Sequence, residues 1–264
     1  MVASGMAARL LGSSVLDPSL LREYMEGFWG FGNPERSLWF VGMEQGGGGS
    51  QEELQKRLDS WALRGRGRFD DLHEYCLAIG ERRWTRPHPP IQPTWKHLIR
   101  LALLSVGEEP HLESIRRFQG EDLGRRSGNT CLIELLPLPA RNLSTWRYDK
   151  WTTFPELSSR QGYLTDVGAR REVGLRTLID QHAPRTVMFY GLGYRERWQR
   201  IVGAPFVDAG IEGVSVARRG PTLCFRVPHP VARGVTTALF ETIGHRIRVE
   251  ASQTQRLMPE ETPP

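Results

Sequence analysis

The chain has 264 residues, of which 39% are hydrophobic, so it is long enough to bury a full core. Its formal net charge is +5 and its pI is about 9.4, and its basic residues are almost all arginines. This balance agrees with a nucleic-acid partner but does not establish one, because a GC-rich genome also enriches arginine. No signal-peptide pattern opens the chain, and no apolar run approaches the roughly 20 residues that span a bilayer. We therefore expect a soluble, cytoplasmic protein without a membrane partner.

The three cysteines are too scattered to form a set of ligands. Cys76, Cys131 and Cys224 show neither a Cys-x-x-Cys pair nor the Cys/His spacing of a zinc site, an iron–sulfur cluster or a disulfide framework. We expect them to be small buried residues in a reducing cytosol, and we predict neither a metal nor another cofactor.

Four short apolar runs bounded by turn signals predict buried strands of the parallel type, and helical patterns separate or follow them. In chain order we predict strand 38–43, a helix that begins at Ser50, a helix around 95–102, strands 130–136 and 186–190, a helix around 194–202, strand 223–227 and a helix around 235–247. Strands that alternate with helices imply an α/β fold, in which a parallel sheet is covered on both faces.

Polar residues follow or end three of these strands. Glu44 follows the first predicted strand, Glu134 lies near the end of the second, and His229 follows the fourth. In open α/β sheets, ligands bind beyond the carboxyl ends of the parallel strands. We therefore expect these three side chains to converge at one edge of the sheet.

Four glycines, at 46–49, separate Glu44 from the helix start at Ser50. Glycine adopts positive φ easily and exposes backbone N–H groups, and such groups beside a helix N-terminus form a seat for a phosphate. The spacing is not the G-x-G-x-x-G of dinucleotide-binding folds, and no P-loop lysine follows. A mobile surface loop is the alternative interpretation.

His229 and Glu134 each allow a functional and a structural interpretation. His229 lies between Pro228 and Pro230, so its backbone is stiff and its ring is suited to donate a hydrogen bond to developing negative charge. A histidine that only binds a loop carbonyl would show the same pattern. Glu134 lies within the apolar sequence CLIELLP, where it either points to solvent or is a buried acceptor that awaits a donor.

Taken together, these motifs resemble the uracil-DNA glycosylase superfamily. VGMEQG resembles the first motif of that superfamily, G-Q-D-P-Y or G-M-N-P-G, and PHPVARG resembles its second motif, H-P-S-P followed by a wedge residue. PPIQPTWKHLIRLAL is similar to the segment that follows the first motif in the iron–sulfur branch, and LIELLP falls at the base-reading strand. The resemblance runs from about residue 28 to residue 248, with the motifs in the family order.

The resemblance implies a three-layer α/β/α sandwich around a four-stranded parallel sheet. It also implies a monofunctional DNA glycosylase, which flips a nucleotide out of DNA and hydrolyses its N-glycosidic bond. Glu44 would orient water and stabilise positive charge at C1′, and His229 would stabilise the departing base. Arg233 matches the wedge position, where it would fill the gap left by the flipped base. The DNA-binding set would be Gly47, Gly48, Gly49, Ser50, Arg233 and Gly234.

Departures from the family pattern bear on the substrate. Gly46 stands where the classical branch has a tyrosine that blocks substituents at C5 of the base, and Glu134 stands where the family reads the base with asparagine. An ionised carboxylate only accepts hydrogen bonds, so it would favour the exocyclic amine of a cytosine. We predict excision of a C5-substituted cytosine, of the bulky kind found in phage DNA, and hence a role in defence. An alignment shifted by one residue would place Leu135 in the pocket instead.

Several alternatives stay open at this point. The chain could be an ordinary uracil-DNA glycosylase of base excision repair, or a non-catalytic binder of damaged or modified DNA, and the DNA could be double- or single-stranded. Ile91 falls where a family phenylalanine stacks on the flipped base, with Gln92 and Trp95 close by, and the sequence does not choose among them.

The resemblance and the composition together predict the domain organisation. We expect residues 1–250 to form a single domain, in which about 50–88 is an insertion that could extend the DNA-binding face or cover a large base. We expect residues 251–264, which have little apolar content, to form a flexible tail.

Overall fold

The computed structural model describes residues 16–140 and 144–257. Within these residues the chain forms one sheet of eight strands, in the spatial order β3-β1-β4-β2-β5-β8-β7-β6. The strands are β1 (Gly30–Gly32), β2 (Leu38–Glu44), β3 (Phe69–Asp70), β4 (Thr130–Leu136), β5 (Thr186–Tyr190), β6 (Val207–Asp208), β7 (Ser215–Arg219) and β8 (Thr222–Val227).

The four predicted strands are confirmed, and they are neighbours in the order β4-β2-β5-β8, all parallel to one another. The expectation of a four-stranded parallel sheet is nevertheless wrong. Shorter strands extend the sheet at both edges, and the pairs β1–β4, β7–β8 and β6–β7 are antiparallel, so the sheet is mixed. These edge strands lack apolar runs, since β1 is Gly-Phe-Gly and β7 carries polar and charged residues.

Nine α-helices connect or cover the strands in the described part of the chain. They are α1 (Pro18–Gly27), α2 (Gln51–Leu63), α3 (Leu72–Ala78), α4 (Pro93–Val106), α5 (Leu112–Glu121), α6 (Arg160–Thr165), α7 (Val167–His182), α8 (Arg195–Val202) and α9 (Thr237–Leu257). The helices predicted around Ser50, 95–102, 194–202 and 235–247 correspond to α2, α4, α8 and α9. No helix among the described residues is both long and apolar enough to cross a bilayer.

The two faces of the sheet differ in what covers them. Phe189 contacts the ring of Trp198 in α8, and Trp39 contacts the ring of His182 in α7, so these helices lie on one face. Because side chains alternate along a strand, Tyr190 points to the opposite face. Glu134 lies on that face too, because a Cβ added at Gly42 would be close to the side chains of both Tyr190 and Glu134.

The segment 50–88 is part of the main core. It contains α2, β3 and α3, and β3 pairs with β1 at the edge of the sheet. Leu54, Leu58, Trp61 and Tyr75 are buried in the same hydrophobic cluster as the central strands. The segment therefore packs into the core of the domain.

The last helix extends further than the sequence indicates. Helix α9 packs along α4 and continues to Leu257, so residues 251–257 of the expected tail are helical. The apolar stripe read from the sequence ends at Ile247, after which polar residues dominate, so apolar periodicity does not reveal the final turns. The rest of the expected tail, residues 258–264, lies outside the described residues.

A buried arginine fastens β4 to α7. The Arg171 guanidinium donates to the backbone carbonyls of Leu135 (Nε, 2.8 Å) and Glu134 (Nη2, 2.9 Å), and it lies 3.4 Å from the ring centroid of Trp29. Burial lowers the pKa of Arg171 to about 9, because its acceptors are neutral carbonyls. This contact fixes the backbone of the strand that carries Glu134.

We expect Arg171→Met to lower the free energy of unfolding by about 2–4 kcal/mol, because it leaves buried carbonyls of β4 without a donor. Arg170→Met is the matched control, since Arg170 is exposed on the same helix and pairs only with Asp166. Its loss should cost under about 1 kcal/mol. Urea unfolding measures both variants, and equal losses would show that the contact with β4 adds nothing.

Candidate functional site

A cleft of about 680 Å³ opens at the carboxyl ends of the central strands. Glu44 at the end of β2, Glu134 in β4, Tyr190 at the end of β5 and His229 after β8 all line it. The three polar residues that the sequence places at strand ends thus lie in one cleft. Across the described residues, no group of His, Cys, Asp and Glu side chains is arranged to hold a metal ion.

Glu44 is held by an arginine that the sequence does not reveal. Arg160, at the start of α6, donates from Nη2 to Oε1 of Glu44 (2.6 Å) and from Nη1 to Oε2 (3.2 Å). Both side chains are largely buried, at 14% and 9% exposure, so solvent screens this pair only weakly. The bidentate contact fixes the orientation of the carboxylate. Each oxygen keeps a lone pair with which it can accept from water.

Glu134 has a different environment, although it lies in the same cleft. Its Oε2 is inaccessible to solvent and has no hydrogen-bond partner among the described residues. Burial, and to a lesser degree the charge of Glu44, raises the pKa of Glu134 to about 8. The carboxyl group is therefore mostly protonated at neutral pH, so the sequence-based expectation of an ionised group that only accepts hydrogen bonds is not met in the unliganded protein.

His229 packs its ring on Tyr190, with the ring centroids 5.5 Å apart at an interplanar angle of 70°. Its Nδ1 accepts a hydrogen bond from the backbone N–H of Val231 at 3.3 Å. Burial lowers the pKa of His229, so the ring is neutral at pH 7. In the neutral ring an accepting Nδ1 leaves the proton on Nε2, which can donate to a ligand.

The glycine loop is organised by an internal ion pair. The N–H groups of Gly48 and Gly49 donate to Oε1 and Oε2 of Glu53, at 3.0 and 2.9 Å. Arg57 binds Glu53 (2.9 Å) and also donates to the carbonyl of Gly46. A carboxylate of the protein thus occupies the seat that the sequence suggested for a phosphate, and these two N–H groups bind phosphate only if Glu53 moves away. The phosphate role of Gly48 and Gly49 stays a prediction.

Close contacts inside the protein require glycine at two positions of the loop, Gly47 and Gly48. Gly47 and Gly48 have φ of +108° and +74°, which disfavours other residues. A Cβ at Gly47 would lie 2.4 Å from Glu53 Oε1, and one at Gly48 would lie 2.4 Å from the carbonyl of Pro139. At Gly46, by contrast, a Cβ would meet nothing within 4 Å, so the cleft is open on that side.

Ser50 begins α2 as predicted, because its side chain accepts a hydrogen bond from the N–H of Glu53. Only half of a capping box forms, since the carboxylate of Glu53 binds the glycine N–H groups instead of returning to Ser50.

Two of the three candidates for stacking on a flipped base line the cleft. Gln92 caps α4 through Oε1, which accepts from the N–H of Trp95 at 2.7 Å. Trp95 lines the cleft and contacts Trp84 with ring centroids 6.0 Å apart. Ile91 packs against the core and is not part of the cleft lining. The arrangement favours Trp95 over Ile91 as the stacking surface.

Arg233 and Gly234 lie outside the cleft. Both are exposed in the turn between β8 and α9, and Gly234 has φ of +83°. Because this turn directly follows His229, it lies beside the mouth of the cleft on the same segment. The placement is compatible with a contact to the DNA backbone, and the wedge role stays a prediction.

Sequence reasoning missed five residues of the site: Arg160, Tyr190, Trp84, Glu53 and Arg57. Tyr190 could have been found, because it ends a predicted parallel strand. Glu53 lies in the first turn of α2, where the sequence signals only the start of a helix. Arg160 lies 116 positions from Glu44 in the sequence, and nothing near it indicates that contact.

No model of a known protein family matches the chain, and a search of curated proteins found none with significant sequence similarity.

We expect Glu53→Ala to release the glycine loop, because the N–H groups of Gly48 and Gly49 then lose their acceptors. Hydrogen exchange of these two amides should become about tenfold faster or more, which corresponds to roughly 1.4 kcal/mol of lost protection. Glu52→Ala is the matched control, as Glu52 is exposed in the same first turn of α2. Unchanged exchange in Glu53→Ala would show that the loop is held by other contacts.

Proposed function

We propose that the chain is a monofunctional DNA glycosylase that hydrolyses the N-glycosidic bond of an extruded nucleotide. The observation that carries this proposal is the single cleft in which Glu44, Glu134 and His229 meet. The cleft brings together a carboxylate, a donor for a departing base and a group that can read the base edge. A reaction with an oxocarbenium-like transition state needs the first two of these groups on either side of the bond that breaks.

The four parallel central strands support the finer assignment to the three-layer fold of the uracil-DNA glycosylase superfamily. Helices α7 and α8 lie on one face of these strands, and the start of α4 lies beside the cleft on the other. The extra edge strands and the segment 50–88 would then be additions of this chain to that fold. The defence role, with phage DNA as the target, is part of the same proposal.

Each polar group of the cleft has a role that its environment supports. Glu44, held by Arg160, orients water and stabilises the positive charge that develops at C1′. Neutral His229 donates from Nε2 to the oxygen of the departing base, as its Nδ1 is already bound by a backbone N–H. The arginine-rich composition suits contacts to the phosphate backbone of the DNA.

The space beside Gly46 supports a C5-substituted base as the substrate. Gly46 lines the cleft, and no atom within 4 Å would contact a side chain at this position. Trp84 and Trp95 also line the cleft and offer apolar surface to a bulky substituent. We propose a C5-substituted cytosine as the target.

Ordinary uracil excision is the second candidate, and the protonated state of Glu134 is compatible with it. A neutral carboxyl group has one O–H donor and one carbonyl acceptor, so it can pair with O4 and N3–H of uracil as asparagine does. The same two groups can also pair with N3 and the exocyclic amine of cytosine. The choice between the two therefore requires a direct comparison of substrates.

That comparison uses three DNAs: T-even phage DNA with glucosylated hydroxymethylcytosine, its unmodified counterpart, and a duplex with one uracil. After incubation with the protein, heating in alkali converts abasic sites into strand breaks. We expect breaks only in the modified phage DNA. Breaks only in the uracil duplex would establish the second candidate, and binding to DNA without any breaks would establish a non-catalytic binder.

We expect Glu44→Gln to lower the single-turnover rate of excision by roughly 10²–10⁴-fold, because an amide supplies no negative charge at C1′. Affinity for the DNA should change only a few-fold. Glu196→Gln serves as the control, since Glu196 is exposed on α8 and does not line the cleft. An unchanged rate in Glu44→Gln would remove Glu44 from the mechanism.

A further inference from the structure

We propose that Glu134 is the acid that passes a proton to ring nitrogen N3 of the extruded base, and that the site therefore takes aminopyrimidines of the cytosine class. In these bases N3 carries no proton and can receive one. The inference rests on the proposed function, and it adds to that function the chemical group that makes the base leave.

The geometry provides a carboxyl group that points into the cleft without a hydrogen-bond partner in the described part of the chain. Glu134 is the only partly exposed residue of β4, and it lines the cleft, while its Oε2 has no hydrogen-bond partner among the described residues. Gly42 leaves the space for it, because a Cβ there would lie 2.8 Å from Glu134 Oε2 and 2.2 Å from the hydroxyl oxygen of Tyr190. An unsatisfied buried acid is costly, and a ligand that pairs with it recovers that cost.

The charges around Glu134 favour its neutral form. Glu44, at the end of the adjacent strand, is negative and repels a second carboxylate. Arg171 approaches from the opposite face, where it binds the backbone carbonyl of Glu134 and not the carboxyl group. Arg160 is committed to Glu44, and Arg57 to the glycine loop. The other titratable groups that line the cleft are Glu53, Tyr75, Cys76, Glu81, Tyr190, Tyr194 and His229.

The leaving group explains why a proton is needed. A uracil-type base can depart as an anion that a neutral imidazole stabilises, whereas the anion of an aminopyrimidine is more basic and departs less readily. A neutral Glu134 donates its O–H to N3 and accepts from the exocyclic amine through its carbonyl oxygen. In the proposed arrangement Glu44 faces the sugar and neutral His229 donates to the base oxygen, so Glu134 is the group that passes a proton to N3.

The step balances in atoms and charge. As the bond between C1′ and N1 breaks, its electron pair passes to the ring, and the proton of Glu134 moves to N3. The base then leaves as a neutral tautomer, and Glu134 becomes a carboxylate. Water, oriented by Glu44, forms the new bond to C1′ and releases a proton, which restores the neutral Glu134.

The test compares wild type with Glu134→Gln on the modified phage DNA, in single turnover between pH 6 and pH 10. Glutamine keeps one donor and one acceptor but has no transferable proton. We expect the rate of the variant to fall by roughly 10²–10⁴-fold. The wild-type rate should fall as the pH rises above about 8, where Glu134 loses its proton, and the residual rate of Glu134→Gln should lack this decrease.

A binding measurement gives a second readout that does not depend on turnover. In a Glu44→Gln background, affinity for the modified DNA should weaken as the pH rises, because ionised Glu134 no longer donates to N3. The decrease should begin below the wild-type value of about pH 8, since the charge of Glu44 no longer raises the pKa of Glu134. The Glu44→Gln/Glu134→Gln double variant should bind with the same affinity at both ends of the range. A pH dependence that persists in the double variant would overturn the assignment of the donor to Glu134.

The outcomes separate this inference from the proposed function. Excision by Glu134→Gln at the wild-type rate and with the wild-type pH profile would overturn the inference and leave the glycosylase assignment intact. A wild-type protein that breaks none of the three DNAs would overturn both. Excision of uracil that exceeds excision of the modified cytosine would overturn the aminopyrimidine class while leaving glycosylase activity established.

Discussion

The candidate site depends on the position of one acid, Glu134, in the otherwise buried strand β4. Arg171 binds the backbone of this strand from one face, and the Glu134 side chain points into the cleft on the other face. The buried cation therefore fixes the position of the acid without neutralising it. If the guanidinium reached the carboxyl group, the pair would be satisfied internally, and no group would remain to bind a ligand. The unsatisfied state of Glu134 is thus a consequence of the sidedness of the strand.

Glu44 and Glu134 show how environment separates two acids in one cleft. Arg160 donates to both oxygens of Glu44, whereas no cation among the described residues contacts the Glu134 carboxyl group, whose pKa rises to about 8. Pairs of carboxyl groups with opposed environments are typical of enzymes in which one acid stays charged and the other carries a proton. The prediction from the sequence that Glu134 is ionised was wrong for the same reason. The charge state of a carboxyl group is set by its neighbours in space, and these lie far apart along the chain.

Much of the fold follows from the sequence, and the parts that do not have physical reasons. The four central strands are apolar on both faces, and the periodic stripes of α2, α4, α8 and α9 are clear. The sequence does not reveal helix α7, because two charged residues, Arg171 and Glu172, interrupt its apolar stripe. Both are buried, and their hydrogen-bond partners lie far away in the sequence. Of the candidate site, Glu44, Glu134 and His229 follow from the rule for strand ends, whereas Arg160 is a long-range contact without a local signal.

The glycine run illustrates what a local pattern can and cannot specify. Positive φ and close approach, read from the sequence, both occur at Gly47 and Gly48. The partner is Glu53 of the same chain, so contacts within the protein organise the loop. Because Glu53 already fills the seat, a DNA phosphate gains little there unless it displaces a carboxylate that Arg57 also holds. It follows that the loop chiefly positions Glu44 and Gly46, and that the proposed contacts to a DNA backbone would come mainly from elsewhere on the arginine-rich surface.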